Sequence, residues 1–331
     1  MRTEVTMKQA TSRTVVALAA IIIFEAIVIN FILIAADDSH YYETGESQLI
    51  LTRSIARQIE THVAGTYDKL ITISNVPEIR ESNTEQCNDK LQELYAQFKL
   101  VPSAISRTGK DYVRDCSTIR SVIGSNVGEY EYAQKIFNDP LHASVMGRAL
   151  PSIIYKDRYF IPVVVPIFDE NKKFSGTIGS AVYLDELKEK YFGTGLAENM
   201  RAVIIDDDDI ILYHPNKELI GKNIYSDVVA DFVGDSIAFD KLKNGVSAGL
   251  SGVTIVDING TKHIESYAPA SVFAGRRWTV VVTTSVNTTT LNEHGKDMRN
   301  LIYTLVLLLN AFFTLILVAH FQWHSKKQKL F

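Results

Sequence analysis

Residues Thr14–Ala36, TVVALAAIIIFEAIVINFILIAA, form an apolar run of about 23 residues whose strongly polar members are Glu25 and Asn30. A helix rises about 1.5 Å per residue, so the run covers roughly the 30 Å hydrocarbon core of a bilayer. Arg2, Lys8 and Arg13 precede it and Asp37 and Asp38 follow it. By the positive-inside rule residues 1–13 are cytoplasmic and residue 37 emerges on the far side. A cleaved signal peptide also has a basic start. Its apolar region is only about 7–15 residues long and ends at an A-x-A-like site, whereas this run is longer and no such site precedes the Asp pair. Residues 14–36 are therefore read as an uncleaved transmembrane helix.

Near the other end, Leu301–Phe321, LIYTLVLLLNAFFTLILVAHF, has the same character. With flanking Gln322 and Trp323 it gives a second span over 301–323. The tail at 324–331 carries His324, Lys326, Lys327 and Lys329, so it too is cytoplasmic. The expectation is a two-pass cell-membrane protein with both termini inside and residues 37–300 outside the cytoplasm. That segment is long enough for one large or two ordinary domains. A net charge of −4, with no basic run except beside the spans, argues against a nucleic-acid partner. Cys87 and Cys116 are the two cysteines. Outside the cytoplasm they are either a disulfide, closing a loop worth ~3 kcal/mol, or two buried thiols.

The chain between the spans reads in order. From 39 to 75 no proline interrupts the sequence, and Ile55, Ile59, Val63, Tyr67, Leu70 and Ser74 recur at helical spacing; this predicts a long stalk helix ending at Asn75-Val76-Pro77. A second helix covers about 84–98. The texture then turns to strands: a hairpin at 103–106 and 112–114, a short helix at 131–137, a hairpin at 152–155 and 159–168, a strand at 174–184 and a helix at 185–192. The pattern restarts with strands at 202–205 and 210–213, a helical stretch at 228–232, a hairpin turned by Asn259-Gly260, and a last strand at 277–284. The segment thus divides into a distal module, 76–195, and a proximal module, 196–287, of similar strand spacing. A polar return helix over 288–300 leads back to the membrane.

Asp206–Asn223, DDDDIILYHPNKELIGKN, closely resembles the signature of the membrane-proximal module of double Cache sensor domains. That signature is a strand, an acidic turn, a strand ending Tyr-His-Pro-Asn, and an Ile-Gly-Lys loop. Ser266–Thr284, SYAPASVFAGRRWTVVVTT, is similar to the closing part of the same module. In the distal half, Gly124-Ser125-Asn126-Val127 and Leu184-Asp185-Glu186-Leu187 follow the family's order of elements. The resemblance implies an α+β fold: a long N-terminal stalk helix and two stacked PAS-like α/β modules with antiparallel sheets, flanked by the two transmembrane helices. It implies a small-molecule sensor, with the ligand in the distal module. A homodimer and no cofactor are expected, and no enzymatic activity, because no paired acid/base or nucleophile set appears in the sequence. In related chains the second span feeds a chemotaxis rod, a histidine kinase or a diguanylate cyclase.

Amino-acid-binding members carry an Arg-x-Trp-Tyr element on the distal helix and an Asp near the end of the distal sheet. Here Glu129 and Glu131 stand at the Arg and Trp positions, and Ala181 stands at the Asp. A carboxylate ligand loses its bidentate partner and an ammonium its counter-charge. The expected distal pocket therefore consists of Tyr130, Tyr132, His142, Arg148, Ser152 and Tyr183, with Arg148 as its cation and the tyrosines as walls with polar tips. Against this stands the plainer view that the tyrosines are core and Arg148 is a surface charge.

No catalytic constellation or metal site is expected. His214 sits in a family-typical loop before a proline, and Asp206–Asp209 lacks the spaced ligands of an EF-hand. Asn259 and Asn287 fit glycosylation sequons. Glu25 is costly at mid-membrane, and Asn310 lies at comparable depth in the second span. The pair reads either as helix–helix glue or as a docking point for a membrane partner. With only a short tail after the second span, the expected output passes through the spans to a separate protein. The alternatives are the sensory half of a longer receptor, and a scaffold whose ectodomain binds protein and has no small-molecule pocket.

Overall fold

The computed structural model describes residues 2–315 except 82–83, 99–103, 140, 157, 194–195, 234–236, 259–260, 274 and 287–299. For residues 2–23, 26, 30, 32–40 and 233 the backbone alone is described. The chain divides into two units, Gly45–Ser285 and the pair of end segments Met1–Thr44 with Val286–Phe331.

The helical periodicity seen from residue 39 onward belongs to one helix, α1, Arg2–Ser74. In the Gly45–Ser285 unit its apolar stripe is buried: Ile55, Ile59, Val63, Leu70 and Ile73 are each 2% exposed or less. Burial of such side chains stabilises by about 1.5–3 kcal/mol apiece, which is what keeps residues 45–74 of the helix on the sheets. It stops before Pro77, whose ring disfavours helical backbone at Val76 (ψ 128°). Pro77 instead opens the short α2, Pro77–Arg80, and α3, Thr84–Phe98, follows.

The first sheet is built from β1 (Ile105–Thr108), β2 (Arg114–Ser117), β3 (Val145–Met146), β4 (Leu150–Pro151), β5 (Tyr159–Phe168) and β6 (Phe174–Tyr183). Its order is β2-β1-β6-β5-β3, with β4 also pairing β5, and every pair is antiparallel. Helix α4, Glu131–Asn138, covers one face. On the other, Arg107 is buried; its guanidinium pairs with Asp115 and donates to Ile79 O at 2.7 Å. Cys87 on α3 and Cys116 on β2 are joined by a disulfide, Cα–Cα 6.0 Å.

A short α5, Leu184–Leu187, leads to the second sheet: β7 (Met200–Asp206), β8 (Ile211–Tyr213), β9 (Gly252–Ile258), β10 (Thr261–Phe273) and β11 (Arg276–Ser285). Its order is β8-β7-β11-β10-β9, again antiparallel. Helices α6, Asp227–Val233, and α7, Ile237–Ser247, lie over it. The two sheets share a local construction. Gly124 (φ +84°) donates to Arg114 O and Gly221 (φ +81°) to Ile211 O, both at 2.7 Å, and Asn126 and Asn223 bridge back to Val113 and Ile210. The left-handed turn needs glycine at the same place in Ile123-Gly124-Ser125-Asn126 and Ile220-Gly221-Lys222-Asn223. The duplication is therefore visible down to single hydrogen bonds.

Several expected boundaries move. The first hairpin is shifted from 103–106 and 112–114 to Ile105–Thr108 and Arg114–Ser117, because Gly109 N bonds Val113 O and Tyr112 takes φ +65°. The strand expected over 152–155 is instead Leu150–Pro151: the Ser152 hydroxyl accepts from Ile154 N and Tyr155 N and turns the chain. The helix expected over 185–192 widens to a π-turn at Lys188–Phe192. α7, not expected, packs Phe239, Leu242 and Val246 at helical spacing.

In the end-segment unit the chain is helical to residue 44 and again over 300–315. Asn310 Nδ2 donates to Glu25 Oε2 at 2.8 Å and to Val306 O at 3.0 Å. Phe24, Ile27, Phe31, Leu305, Leu308 and Phe312 are exposed. Among the described residues no helix is long and apolar enough to cross a membrane. Most side chains of the expected span at 14–36, residues 316–323 of the second span, and the return helix but for residue 300 lie outside the described residues.

Candidate ligand-binding site

Alternation along a strand puts every second residue on one face. On the first sheet this brings Ser106 and Thr108 of β1, and Thr177, Gly179, Ala181 and Tyr183 of β6, beneath α4. They line a cavity of about 70 Å³, closed above by Tyr132, Ala133 and Ile136 of α4 and at the side by Ser152–Ile154. Three of its polar groups are placed by their own partners. Arg114, on β2, donates from Nη1 to Ser125 Oγ at 2.7 Å. The Tyr183 hydroxyl meets Ser152 Oγ at 3.4 Å. Burial pushes the Tyr132 phenol up, opposed by the charge of Arg114 and a hydrogen bond from it. One guanidinium among several hydroxyls suits a small anionic or strongly hydrogen-bonding group.

Of the residues expected at the distal pocket, Tyr132, Ser152 and Tyr183 line this cavity; Tyr130, His142 and Arg148 do not. Tyr130 precedes α4, its ring 5.6 Å from that of Tyr132. His142 stacks on Phe174 at 3.9 Å and bonds Ile136 O through Nδ1 at 2.9 Å, a contact that fixes the loop after α4. Arg148 is half exposed, 3.6 Å from Asp208 and 4.0 Å from Glu131. The cation in the cavity is Arg114, which spacing alone does not single out; the repeated Gly-x-Asn turn that bonds its backbone is the signal that marks it. Ala181 lines the wall where amino-acid-binding relatives are expected to have a carboxylate.

The second sheet carries a larger cavity of about 420 Å³. Its floor is the face of β7, β11 and β10 that bears Val203, Val281 and Glu265; its roof is Val229 and Phe232 of α6 with Phe239 and Leu242 of α7. Glu265 is 5% exposed, and its Oε2 accepts from Thr283 Oγ1 at 2.6 Å, directly across the β10–β11 ladder. Desolvation raises its carboxyl to about 7, against the hydrogen bond from Thr283. His214 and His263 also reach this cavity, and burial lowers both imidazoles. His214 Nδ1 accepts from Asn216 N at 2.9 Å, the loop-fixing role expected of it. Asp206, Asp207 and Asp208 cluster at the β7–β8 turn, with Arg276 Nη2 2.7–3.7 Å from all three. Asp206 Oδ1 accepts from two turn amides, so the cluster is built as a hairpin turn around a guanidinium.

A family profile described as Cache domain, dCache_1, matches residues 39–292. Solved structures with the same fold include the periplasmic sensory domain of the Campylobacter jejuni chemoreceptor Tlp1. It is 16% identical, covers 74% of this chain and 96% of that one, and has a TM-score of 0.58. Methyl-accepting chemotaxis protein X follows at 14% identity, 76% and 99% coverage, and a TM-score of 0.57. The ligand-binding domain of the Pseudomonas aeruginosa PAO1 amino acid chemoreceptor PctB, in complex with L-Arg, is 12% identical, with 75% and 97% coverage and a TM-score of 0.52. No curated protein sequence matches the chain.

Proposed function

Because the chain belongs to the double Cache domain family, a family of ligand-sensing receptor domains, we propose that it is a membrane-anchored sensor whose distal cavity takes a small ligand with an anionic or hydrogen-bonding head. The observation that supports this reading is the inward group of Arg114, Tyr132, Tyr183 and Ser152. A volume of about 70 Å³ holds about two waters, so ligand entry requires the 150–156 segment to move off Tyr183. The two apolar runs at 14–36 and 301–323 anchor the protein with residues 37–300 outside the cytoplasm. The Glu25–Asn310 hydrogen bond lies where the two spans meet. The signal leaves through those spans to an output protein, and the receptor works as a homodimer.

The test is a thermal-shift screen of the full chain in nanodiscs against small carboxylates, sugars and amines. A ligand raising Tm in the wild type and not in Arg114→Met supports the distal site. Pull-down from membranes with Glu25→Leu probes the output partner: recovery of the same proteins would remove Glu25 from that role.

The small volume of the distal cavity favours a second reading, a scaffold that binds protein through its ectodomain. An absence of any hit across the screen, with unchanged recovery of a protein partner by Arg114→Met, would select it.

A further inference from the structure

A larger, mostly apolar cavity beside a buried carboxylate lies in the other module. We propose that the proximal cavity is a second binding site, for a small organic ammonium with an apolar body, its nitrogen held by the Glu265 carboxylate. Three observations carry this. The cavity is about 420 Å³ and walled by Val203, Ile205, Val229, Phe232, Phe239 and Leu242, a size and lining that suit a compact organic ligand. Glu265 projects from the floor, and among the described residues Thr283 is its hydrogen-bond donor and no cation pairs with it. A buried carboxylate without a counter-charge is costly, and an ammonium would supply both the charge and the missing donors. Finally, His263, on the same face of β10 two residues before Glu265, has its Nδ1 buried and without a partner, so the site has a further polar atom for the ligand.

The surroundings favour a cation over an anion. Arg201 of β7 also lines the cavity, but its Nη1 donates to the carbonyls of Glu198 and Met200 and Thr283 stands between it and Glu265 in the cross-strand row. His214, from the loop after β8, and His263 are both held towards the neutral form. Of the ionisable groups facing Glu265 from β7, β10 and that loop, none stands ready to neutralise it. Amine binding ionises Glu265 and therefore weakens as pH falls below 7.

The test uses the full chain in nanodiscs with phenethylamine as probe, 2-phenylethanol as its uncharged counterpart and 3-phenylpropanoate as its anionic one, followed by calorimetry. Saturable phenethylamine binding, about tenfold or more tighter than the alcohol, and lost in the isosteric Glu265→Gln, is the expected result. Leu242→Trp, which fills the roof and keeps the carboxylate, should also abolish it. Equal binding of alcohol and amine, retention of amine binding in either variant, or no saturable amine binding at millimolar concentration would each overturn the proposal. Arg114→Met is distal and should leave amine binding intact; loss there would assign the amine to the distal cavity instead.

Discussion

Gln48 and Thr284 meet across 236 positions of sequence, the Thr284 hydroxyl donating a 2.6 Å hydrogen bond to Gln48 Oε1 inside the protein. The other end of the same carboxamide donates to Val282 O at 2.6 Å and Ile264 O at 3.0 Å, and one turn on, Thr52 Oγ1 meets Ser266 Oγ at 2.6 Å. α1 is thus fixed to β10 and β11 by a fully partnered buried network, which specifies one axial register where an apolar stripe alone would permit sliding. Truncating Gln48 to Ala strips the partner from the Thr284 hydroxyl and leaves a cavity. A loss of about 2–3 kcal/mol of unfolding free energy is expected, measured by urea denaturation of detergent-solubilised protein.

Arg107 is 1% exposed and binds Asp115, Ile79 O and Ser175 O. Arg107→Met removes one partner of a buried pair and leaves Asp115 and two carbonyls without their donor. The expected cost is about 3 kcal/mol, and Arg107→Met/Asp115→Leu should recover part of it in the same denaturation experiment.

The Cys87–Cys116 disulfide closes a loop of sequence separation 29 and ties α3 to the edge strand β2. Reduction, or Cys87→Ser with Cys116→Ser, should lower stability by about 3 kcal/mol. A matching Tm with and without reductant would show that the crosslink contributes nothing.

Two buried groups give opposing pH dependences. Glu265 has a folded pKa raised from 4.5 to about 7, so its burial costs nothing below pH 4.5, and stability falls as pH rises from 4.5 through 7, by about 3 kcal/mol in all. His62, on α1 with its ring 5.8 Å from that of Tyr191, is lowered from 6.5 to about 4 by desolvation, then by Lys190 and Lys69. Its unfolded form takes up the proton first, so stability present above pH 6.5 is lost as pH falls towards 4, by about the same amount. The wild type should therefore be nearly flat between pH 4.5 and 6.5. Glu265→Gln unmasks the His62 slope and raises stability at pH 8. A flat profile in Glu265→Gln would sink this account.

Much of the fold is legible in the sequence because its determinants are local. The stripe Ile55, Ile59, Val63 gives α1; Pro77 ends it; the acidic turn, His-Pro-Asn and Ile-Gly-Lys mark β7, β8 and the loop after them. Boundaries fail where a side chain competes with the ladder for backbone groups, as Ser152 does, or where a left-handed residue such as Tyr112 resets the start of a strand. The candidate site is less legible still. Tyr132, Ser152 and Tyr183 could be picked out as aromatic or polar residues at the expected elements, but Arg148 and Arg114 are alike in type, and which of them faces the cavity depends on the sheet order that puts β2 and β3 at opposite edges.

By itself, then, the sequence determined the apolar runs at either end, the helix–sheet order, the repeated module and the family. These depend on period, turn chemistry and motif, which a chain carries residue by residue. Only the tertiary structure decided which arginine faces the distal cavity, which carboxylate is left without a cation, and which cysteines and carboxamides meet their partners. Those outcomes depend on strand register and on the desolvation each position undergoes, and both are set by residues hundreds of positions apart, as Gln48 and Thr284 are.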